Sequence, residues 1–236
     1  MRSTCCDPAS VELVSPLAEV AIWRVDLDSP ALDDPFDWLS PSEIARAGRF
    51  AFAGHARRFR TGRAALRQRL ALHCGFPPRA EFGITAHGKP VMPAPFRGCF
   101  NFSRSGGLAL VVIGTQRRTA SVGVDIERVQ AGADLDALAA TTLTPAERVE
   151  FAATPGRLRA PAFLSAWTRK EACLKALGTG LLTDPATVEV GFDGATRAIN
   201  FAGTDGSTAR IALASLELDG GAYLAAVAST SSAVLD

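Results

Sequence analysis

Two acidic residues two positions apart are the sharpest chemical feature of this chain. In Ser121-Val-Gly-Val-Asp-Ile-Glu127 apolar and other residues alternate, which is the side-chain period of a strand. On such a strand Val124 and Ile126 face apolar packing, while Asp125 and Glu127 point together the other way. Two carboxylates on one face repel each other unless a cation lies between them. Mg²⁺ takes hard oxygen ligands, commonly one or two carboxylates plus the phosphate oxygens of a substrate. A D-x-E pair alone is equally at home on a solvated edge strand, so its weight depends on what accompanies it.

The segment Trp167-Thr-Arg-Lys-Glu-Ala-Cys-Leu-Lys175 lies in an otherwise apolar helix. Glu171 and Lys175 are i,i+4 and share a face, with Trp167 one turn before Glu171. As an exposed ion pair this would contribute about 0.3–0.5 kcal/mol. As a third carboxylate with a lysine and an aromatic on one stripe, it suits a metal–phosphate site beside a nucleotide. A cationic set is also present: Arg46 and Arg49, then Arg57, Arg58, Arg60, Arg63, Arg67 and Arg69, then Lys89 in Gly-Lys-Pro and Arg104 in Asn-Phe-Ser-Arg-Ser. Arginine forks match phosphate oxygens and lysine supplies a point charge. Most charge runs are solvated helix faces, so only a minority of the helix arginines is expected to touch a ligand.

Other chemistries lack their residues. His55, His73 and His87 have no metal-pair spacing, and no H-E-x-x-H, P-loop, G-x-G-x-x-G or G-x-S-x-G motif occurs. Acids and cations with no evident nucleophile fit phosphoryl-type transfer between two bound partners.

These residues need a frame. A chain of 236 residues makes one large domain or two small ones. Its 47% apolar content supports a core and excludes a wholly disordered chain. With 25 Lys+Arg against 24 Asp+Glu the net charge is +1. That argues against a generic nucleic-acid glove or a polybasic membrane tether. Apolar runs such as Leu108–Ile113 fall far short of the roughly 20 residues a bilayer requires. The start, Met1-Arg-Ser-Thr-Cys-Cys-Asp-Pro, has no apolar region of a secretory signal. Cys5, Cys6, Cys74, Cys99 and Cys173 fit no C-x-x-C spacing. The last three read as core thiols, and the expected location is the cytoplasm.

The elements follow from local signals. Residues 1–18 read as an irregular leader with Pro8 and Pro16. Val20–Val25 reads as a strand. Ser40-Pro-Ser-Glu43 is a capping box opening a helical segment to about Leu72, broken near Gly54. Phe82–Ala86, Cys99–Ser103, Leu108–Ile113 and Ser121–Glu127 read as strands. A helix over Leu135–Thr141 precedes a second capping box, Thr144-Pro-Ala-Glu147, and a helix from about Pro161 to Leu177 stops at Gly178. Strands are expected at Thr187–Phe192, Ala198–Phe201, Ala209–Leu218 and Tyr223–Ala228, then a loose tail over 229–236. Hairpin-like strands with segregated helices indicate an α+β fold.

Val122-Gly-Val-Asp-Ile-Glu127 together with Trp167-Thr-Arg-Lys-Glu-Ala-Cys-Leu-Lys175 resembles the paired signature of Sfp-type 4′-phosphopantetheinyl transferases. Ser40-Pro-Ser-Glu…Arg46…Arg49-Phe50, Arg58…Arg67, Gly88-Lys-Pro90, Phe100-Asn-Phe-Ser-Arg-Ser105, Leu143-Thr-Pro-Ala-Glu147 and Gly178-Thr-Gly-Leu181 also fall where that family has counterparts. The resemblance implies two similar α/β halves, 19–120 and 121–228, related by pseudo-twofold symmetry, with coenzyme A in the cleft between them. It implies transfer of the phosphopantetheine arm to a serine of an apo acyl, peptidyl or aryl carrier protein, releasing adenosine 3′,5′-bisphosphate. Fatty-acid, polyketide and nonribosomal-peptide pathways all remain open. By position, Asp125, Glu127 and Glu171 would hold Mg²⁺, with Mn²⁺ as a second candidate. Glu171 would take the serine proton, directly or through a metal-bound water, and Lys175 would stabilise the pyrophosphate. Arg58, Lys89 and Arg104, with Arg46 and Ser103, would hold the nucleotide phosphates. A monomer is expected, because one chain supplies both halves. Arg104 stands where family members often carry His. Glu147 matches a family acid but reads more simply as a capping-box residue. A Mg²⁺-dependent phosphodiesterase and a non-catalytic coenzyme A-binding module are the competing readings.

Overall fold

The computed structural model describes residues 10–29, 35–116, 119–130, 134–179, 182–202 and 208–231. In chain order the strands are β1 (Ser10–Leu13), β2 (Val20–Asp26), β3 (Gly83–Ile84), β4 (Pro90–Val91), β5 (Phe100–Ser105), β6 (Leu108–Gly114), β7 (Thr119–Arg128), β8 (Arg197–Ala202), β9 (Thr208–Leu218) and β10 (Tyr223–Ser231). The helices are α1 (Pro41–Ala47), α2 (Ala53–Cys74), α3 (Leu135–Thr142), α4 (Pro145–Ala152) and α5 (Gly156–Leu177). Two four-stranded antiparallel sheets have the orders β1-β2-β6-β5 and β7-β10-β9-β8, and β3 pairs with β4 alone. Antiparallel sheets with separate helices agree with the α+β expectation.

Alternate residues of the central strands serve different layers. Trp23 and Val25 of β2 pack with Leu66 and Leu70 of α2, whereas Val20 and Ile22 meet Val122, Val124, Ile126 and Val227 of the other sheet. On the far side Ala226 and Ala228 join Phe163 and Ala172 of α5. The layers are therefore helix, sheet, sheet, helix. Leu108–Ile113 shows no alternation because both faces of β6 are buried.

The two halves share construction details. Each has its first long strand beside its last, β2 beside β6 and β7 beside β10. Both capping boxes form, with Ser40 and Thr144 accepting from the amides of Glu43 and Glu147, whose carboxylates accept from the cap amides in return. Each box precedes a 22-residue helix ending at a glycine with positive φ, Gly75 or Gly178. Each capping glutamate is also buried against a cation of that helix. Arg67 Nε lies 2.6 Å from Glu43, and Lys170 Nζ lies 2.6 Å from Glu147. Arg67 then donates to the Pro78 and Ala80 carbonyls, and Lys170 to those of Pro185 and Val188. Each clamp ties a cap, a long helix and the segment that follows it.

Four local expectations differ. Ser10–Leu13 pairs with β2 instead of staying irregular, since Pro8 and Pro16 flank this stretch without interrupting its amides; Cys5 and Cys6 lie outside the described residues. β10 continues through Ser229 to Ser231, where Ser229 pairs on both sides and its hydroxyl donates to Glu19. Helix α5 begins at Gly156, placing Pro161 inside it; the proline removes a donor facing the carbonyl of Arg157, an exposed residue whose oxygen solvent can satisfy. Thr187–Phe192 is not a strand. The Thr187 and Val188 amides close a short 3-10 turn on the Asp184 and Pro185 carbonyls, and the rest is satisfied by side chains: Lys170 donates to the Val188 carbonyl, Arg169 to that of Val190, and the Val190 and Gly191 amides donate to Glu147. Val188 and Val190 alternate because they pack on α5, not because a ladder continues.

Candidate active site along the seam between the sheets

β5 and β7 are the margins of their sheets, and among the described residues no backbone ladder joins them. Side chains of β5 do so at every second position, as strand periodicity requires. Asn101 Oδ1 accepts from the Val124 amide at 3.2 Å, and Ser103 Oγ donates to Asp125 Oδ1 at 2.8 Å. Ser105 Oγ donates to Glu127 Oε2 at 2.8 Å and accepts from the Arg128 amide at 3.1 Å. The alternation read for β7 holds. Val122, Val124 and Ile126 enter the shared core, and Asp125 and Glu127 meet these rungs.

Helix α5 lies directly on β7. A Cβ at Gly123 would fall 2.0 Å from the Ala172 carbonyl oxygen and 2.5 Å from the Ala176 nitrogen. Only glycine permits this approach, which the sequence pattern did not reveal. It lets Lys175 Nζ reach Asp125 Oδ1 at 2.6 Å, the Val124 carbonyl at 3.2 Å and Ser103 Oγ at 3.4 Å. Lys89 approaches from the β3–β4 hairpin. Its ammonium donates to Ser121 Oγ at 2.6 Å, the Val122 carbonyl at 3.0 Å and the Lys175 carbonyl at 2.6 Å. Burial pushes the Lys89 ammonium down to about 8.

The acids are electrostatically unsatisfied as a group. Burial raises the Glu171 carboxyl, and nearby Asp125 and Glu127 raise it further, against the pull of Lys175. Burial also raises Glu127, helped by Asp125 and opposed by Ser105 and Lys175. Asp125 is 4% exposed, and its Oδ2 is buried with no hydrogen-bond partner. Among the described residues no group of three or more His, Cys, Asp or Glu side chains is gathered closely enough to hold a metal as it stands. The orphaned Asp125 oxygen and the two raised acids nevertheless fit a hard cation, which would satisfy the first and relieve the others.

Cations gather on the other face of β5. Arg46, Phe59, Arg63, Phe102, Ser103 and Arg104 line a cavity of about 240 Å³. Arg46 lies 5.3 Å over the Phe59 ring, and Arg63 lies 5.7 Å over both Phe59 and Phe102. Burial holds Arg63 below its ordinary value, against the pull of Glu43 and with Arg46, Arg67 and Arg104 adding repulsion. Such a cluster favours an anion. Arg63 was one undistinguished member of the arginine run in the sequence; only its inward position separates it. Phe102 also borders a cleft of about 250 Å³ with His87, Lys89, Asn101, Lys175 and Gly178.

The structure thus joins Asp125, Lys175 and Ser103 by direct hydrogen bonds and places Glu127 and Glu171 within electrostatic reach of them, with Arg46 and Arg104 in the cavity that Ser103 also lines. Arg58 is held elsewhere, by a double hydrogen bond to Asp28 with contacts at 2.9 Å and 2.6 Å. Trp167 packs against the core beneath α5. Glu147 is the buried capping residue the sequence indicates. Leu181 and Gly180 of the final matching segment lie outside the described residues.

The chain is similar to known proteins. The model of the 4′-phosphopantetheinyl transferase superfamily matches residues 121–228. The 4′-phosphopantetheinyl transferase HetI of Nostoc sp. is 37% identical over 180 residues, covering 74% of each chain. A Synechocystis sp. protein, slr0495, provisionally named for the same activity, is 32% identical over 169 residues, covering 70% of this chain and 67% of its own. A 4′-phosphopantetheinyl transferase of Bacillus subtilis is 28% identical over 144 residues, covering 61% and 62% respectively.

Proposed function

This chain belongs to the 4′-phosphopantetheinyl transferase superfamily, and from that membership we propose that it transfers the 4′-phosphopantetheine arm of coenzyme A to a serine of an apo carrier protein, releasing adenosine 3′,5′-bisphosphate. The observation that carries this reading is the meeting at Ser103. On one side of this residue lie the buried acid Asp125 and its partner Lys175, and on the other the arginine cavity. A substrate with a pyrophosphate and a separate phosphate needs both environments.

Asp125, Glu127 and Glu171 are the residues that would hold Mg²⁺, with Asp125 Oδ2 the readiest donor. Bound there, the ion would supply positive charge to the pyrophosphate oxygens. Arg46, Arg63 and Arg104 hold the nucleotide phosphates, and the Ser103 hydroxyl joins them only if its proton leaves Asp125. Lys89 borders the adjoining cleft, and Arg58 contributes only if it leaves Asp28. A serine hydroxyl is a poor nucleophile and needs a positioned base, for which Glu171 is the candidate. Its carboxylate takes the serine proton as the Oγ–P bond forms and the P–O bond to the bridging oxygen breaks. The departing bisphosphate gathers negative charge, which the Lys175 ammonium stabilises through its charge while its donors stay on Asp125, the Val124 carbonyl and Ser103.

We further propose that halves 19–120 and 121–228 are related by a pseudo-twofold with coenzyme A in the cleft between them. The shared three-strand arrangement, β2-β6-β5 in one half and β7-β10-β9 in the other, and the duplicated glutamate–cation clamps support this. The test is the intact mass of apo acyl and peptidyl carrier proteins after incubation with this protein, coenzyme A and Mg²⁺, with and without EDTA. The expected result is a gain of one phosphopantetheinyl group, lost with EDTA. Cleaved coenzyme A with no gain would replace transfer by phosphodiester hydrolysis.

A further inference from the structure

We propose that Lys89 is a positioning residue that sets the place of Lys175 over Asp125, and that it is not a phosphate ligand. This rests on the transfer reading given above for its kinetic consequences, and on geometry alone for its structural ones. A lysine ammonium has three donors and no acceptor. All three have partners within 3.0 Å: Ser121 Oγ, the Val122 carbonyl and the Lys175 carbonyl. No donor is left for a ligand.

The geometry fixes this side chain at both ends. The Lys89 amide donates to Thr85 Oγ1, the Lys89 carbonyl accepts from the Thr85 amide, and Gly88 supplies the positive φ of the turn. Gly178, at positive φ, ends α5 beside the lysine stem, within ordinary packing distance of Lys89 Cδ. The carbonyl of Lys175 is among the last four of α5, which have no partner from a following helical turn. A cation at a helix C-terminus is favourable there.

Two lysines then fasten one contact. Gly123 is where the α5 backbone touches β7. On one side of it Lys89 joins the Val122 carbonyl to α5, and on the other Lys175 joins α5 to the Val124 carbonyl and Asp125. Lys89 holds the main chain of the same residue whose side chain pairs with Asp125. Without it the hydrogen bonds of Lys175 are the polar link left, among the described residues, between the end of α5 and the β7 seam beside the Gly123 packing contact, and the Lys175 ammonium loses its fixed origin. Misplacement of a reacting group by about 1 Å costs on the order of 100-fold in rate.

The experiment compares Lys89→Met, Lys175→Ala and the double variant in steady-state transfer to an apo acyl carrier protein. Lys89→Met should lower kcat at least about tenfold and leave the KM for coenzyme A within about twofold. In the Lys175→Ala background the same change should cost less than about threefold, because its route of action is already gone. A raised KM with unchanged kcat, or equal losses in both backgrounds, would overturn the proposal. Should Lys89→Met fail to fold, Ser121→Ala removes one acceptor and should lower kcat about threefold at constant KM; unchanged kcat overturns the proposal. If the wild type modifies no carrier, the transfer reading falls, and hydrogen exchange decides the staple separately. Faster exchange at the Ala176–Gly178 amides in the lysine variant, or the serine one, supports it, and unaltered exchange refutes it.

Discussion

At the scale of single residues, burial separates the chemically committed groups from the ornamental ones. Asp125→Asn keeps the shape and the Ser103 contact but removes the charge that pairs with Lys175. We expect transfer to fall about 100-fold or more with little change in melting temperature, read by carrier mass and by scanning calorimetry. Arg104 carries a permanent charge in the anion cavity. Arg104→His should make the KM for coenzyme A rise as pH passes about 6.5, whereas the wild type should show no such inflection there. Glu147 behaves differently. Burial alone would raise its carboxyl, but hydrogen bonds from Lys170, Val190 and Thr144 outweigh that and hold it below its ordinary 4.5. A carboxyl held lower in the folded state stabilises above its unfolded value, and the contribution is lost as pH falls through the folded value. Glu147→Gln should therefore flatten the acid limb of the stability curve, and breaking the buried pair should cost about 3–5 kcal/mol, measured by urea unfolding between pH 7 and 3. The acids and Lys175 were legible because a strand period and a helix turn place them on shared faces. Arg63 was not legible, since nothing in an arginine run says which member turns inward. The commitment of Arg58 to Asp28 was equally hidden, because that partner comes from a distant turn.

At the scale of elements, the position of α5 depends on an atom that is missing. Gly123→Ala would put a methyl 2.0 Å from the Ala172 carbonyl oxygen, and backbone cannot move aside as a flexible side chain can. The expected cost is at least about 3 kcal/mol, seen as a lowered urea midpoint and a loss of activity larger than the loss of folded protein. Element reading from sequence succeeded where local chemistry decides. Both capping boxes, the glycine stop at the end of α5, and the alternating β7 are of this kind. It failed at Thr187–Phe192, where an alternating pattern arises from packing on a helix and the backbone is satisfied by Lys170, Arg169 and Glu147. Pro161 misled in the same way, because a proline near a helix start marks its first turn only when nothing precedes it. The cores of the two outer layers could be listed from apolar residues, but which face of β2 meets which layer required the fold.

At the scale of the whole molecule, the two sheets bury one common cluster, in which Ile22, Leu110 and Val112 meet Val122, Val124 and Ile126. Neither half can keep those residues from water alone, so the chain should melt in a single calorimetric transition. Two resolved transitions would show that the halves are independent. The seam beside that cluster is of another kind. A backbone ladder holds neighbouring strands about 4.8 Å apart whatever the side chains are. Between β5 and β7 that spacing is instead written in Asn101, Ser103 and Ser105. Three side chains thus help set the gauge of the joint, beside the apolar cluster the sheets share. A joint set by side chains can be retuned one residue at a time, which a backbone ladder does not allow.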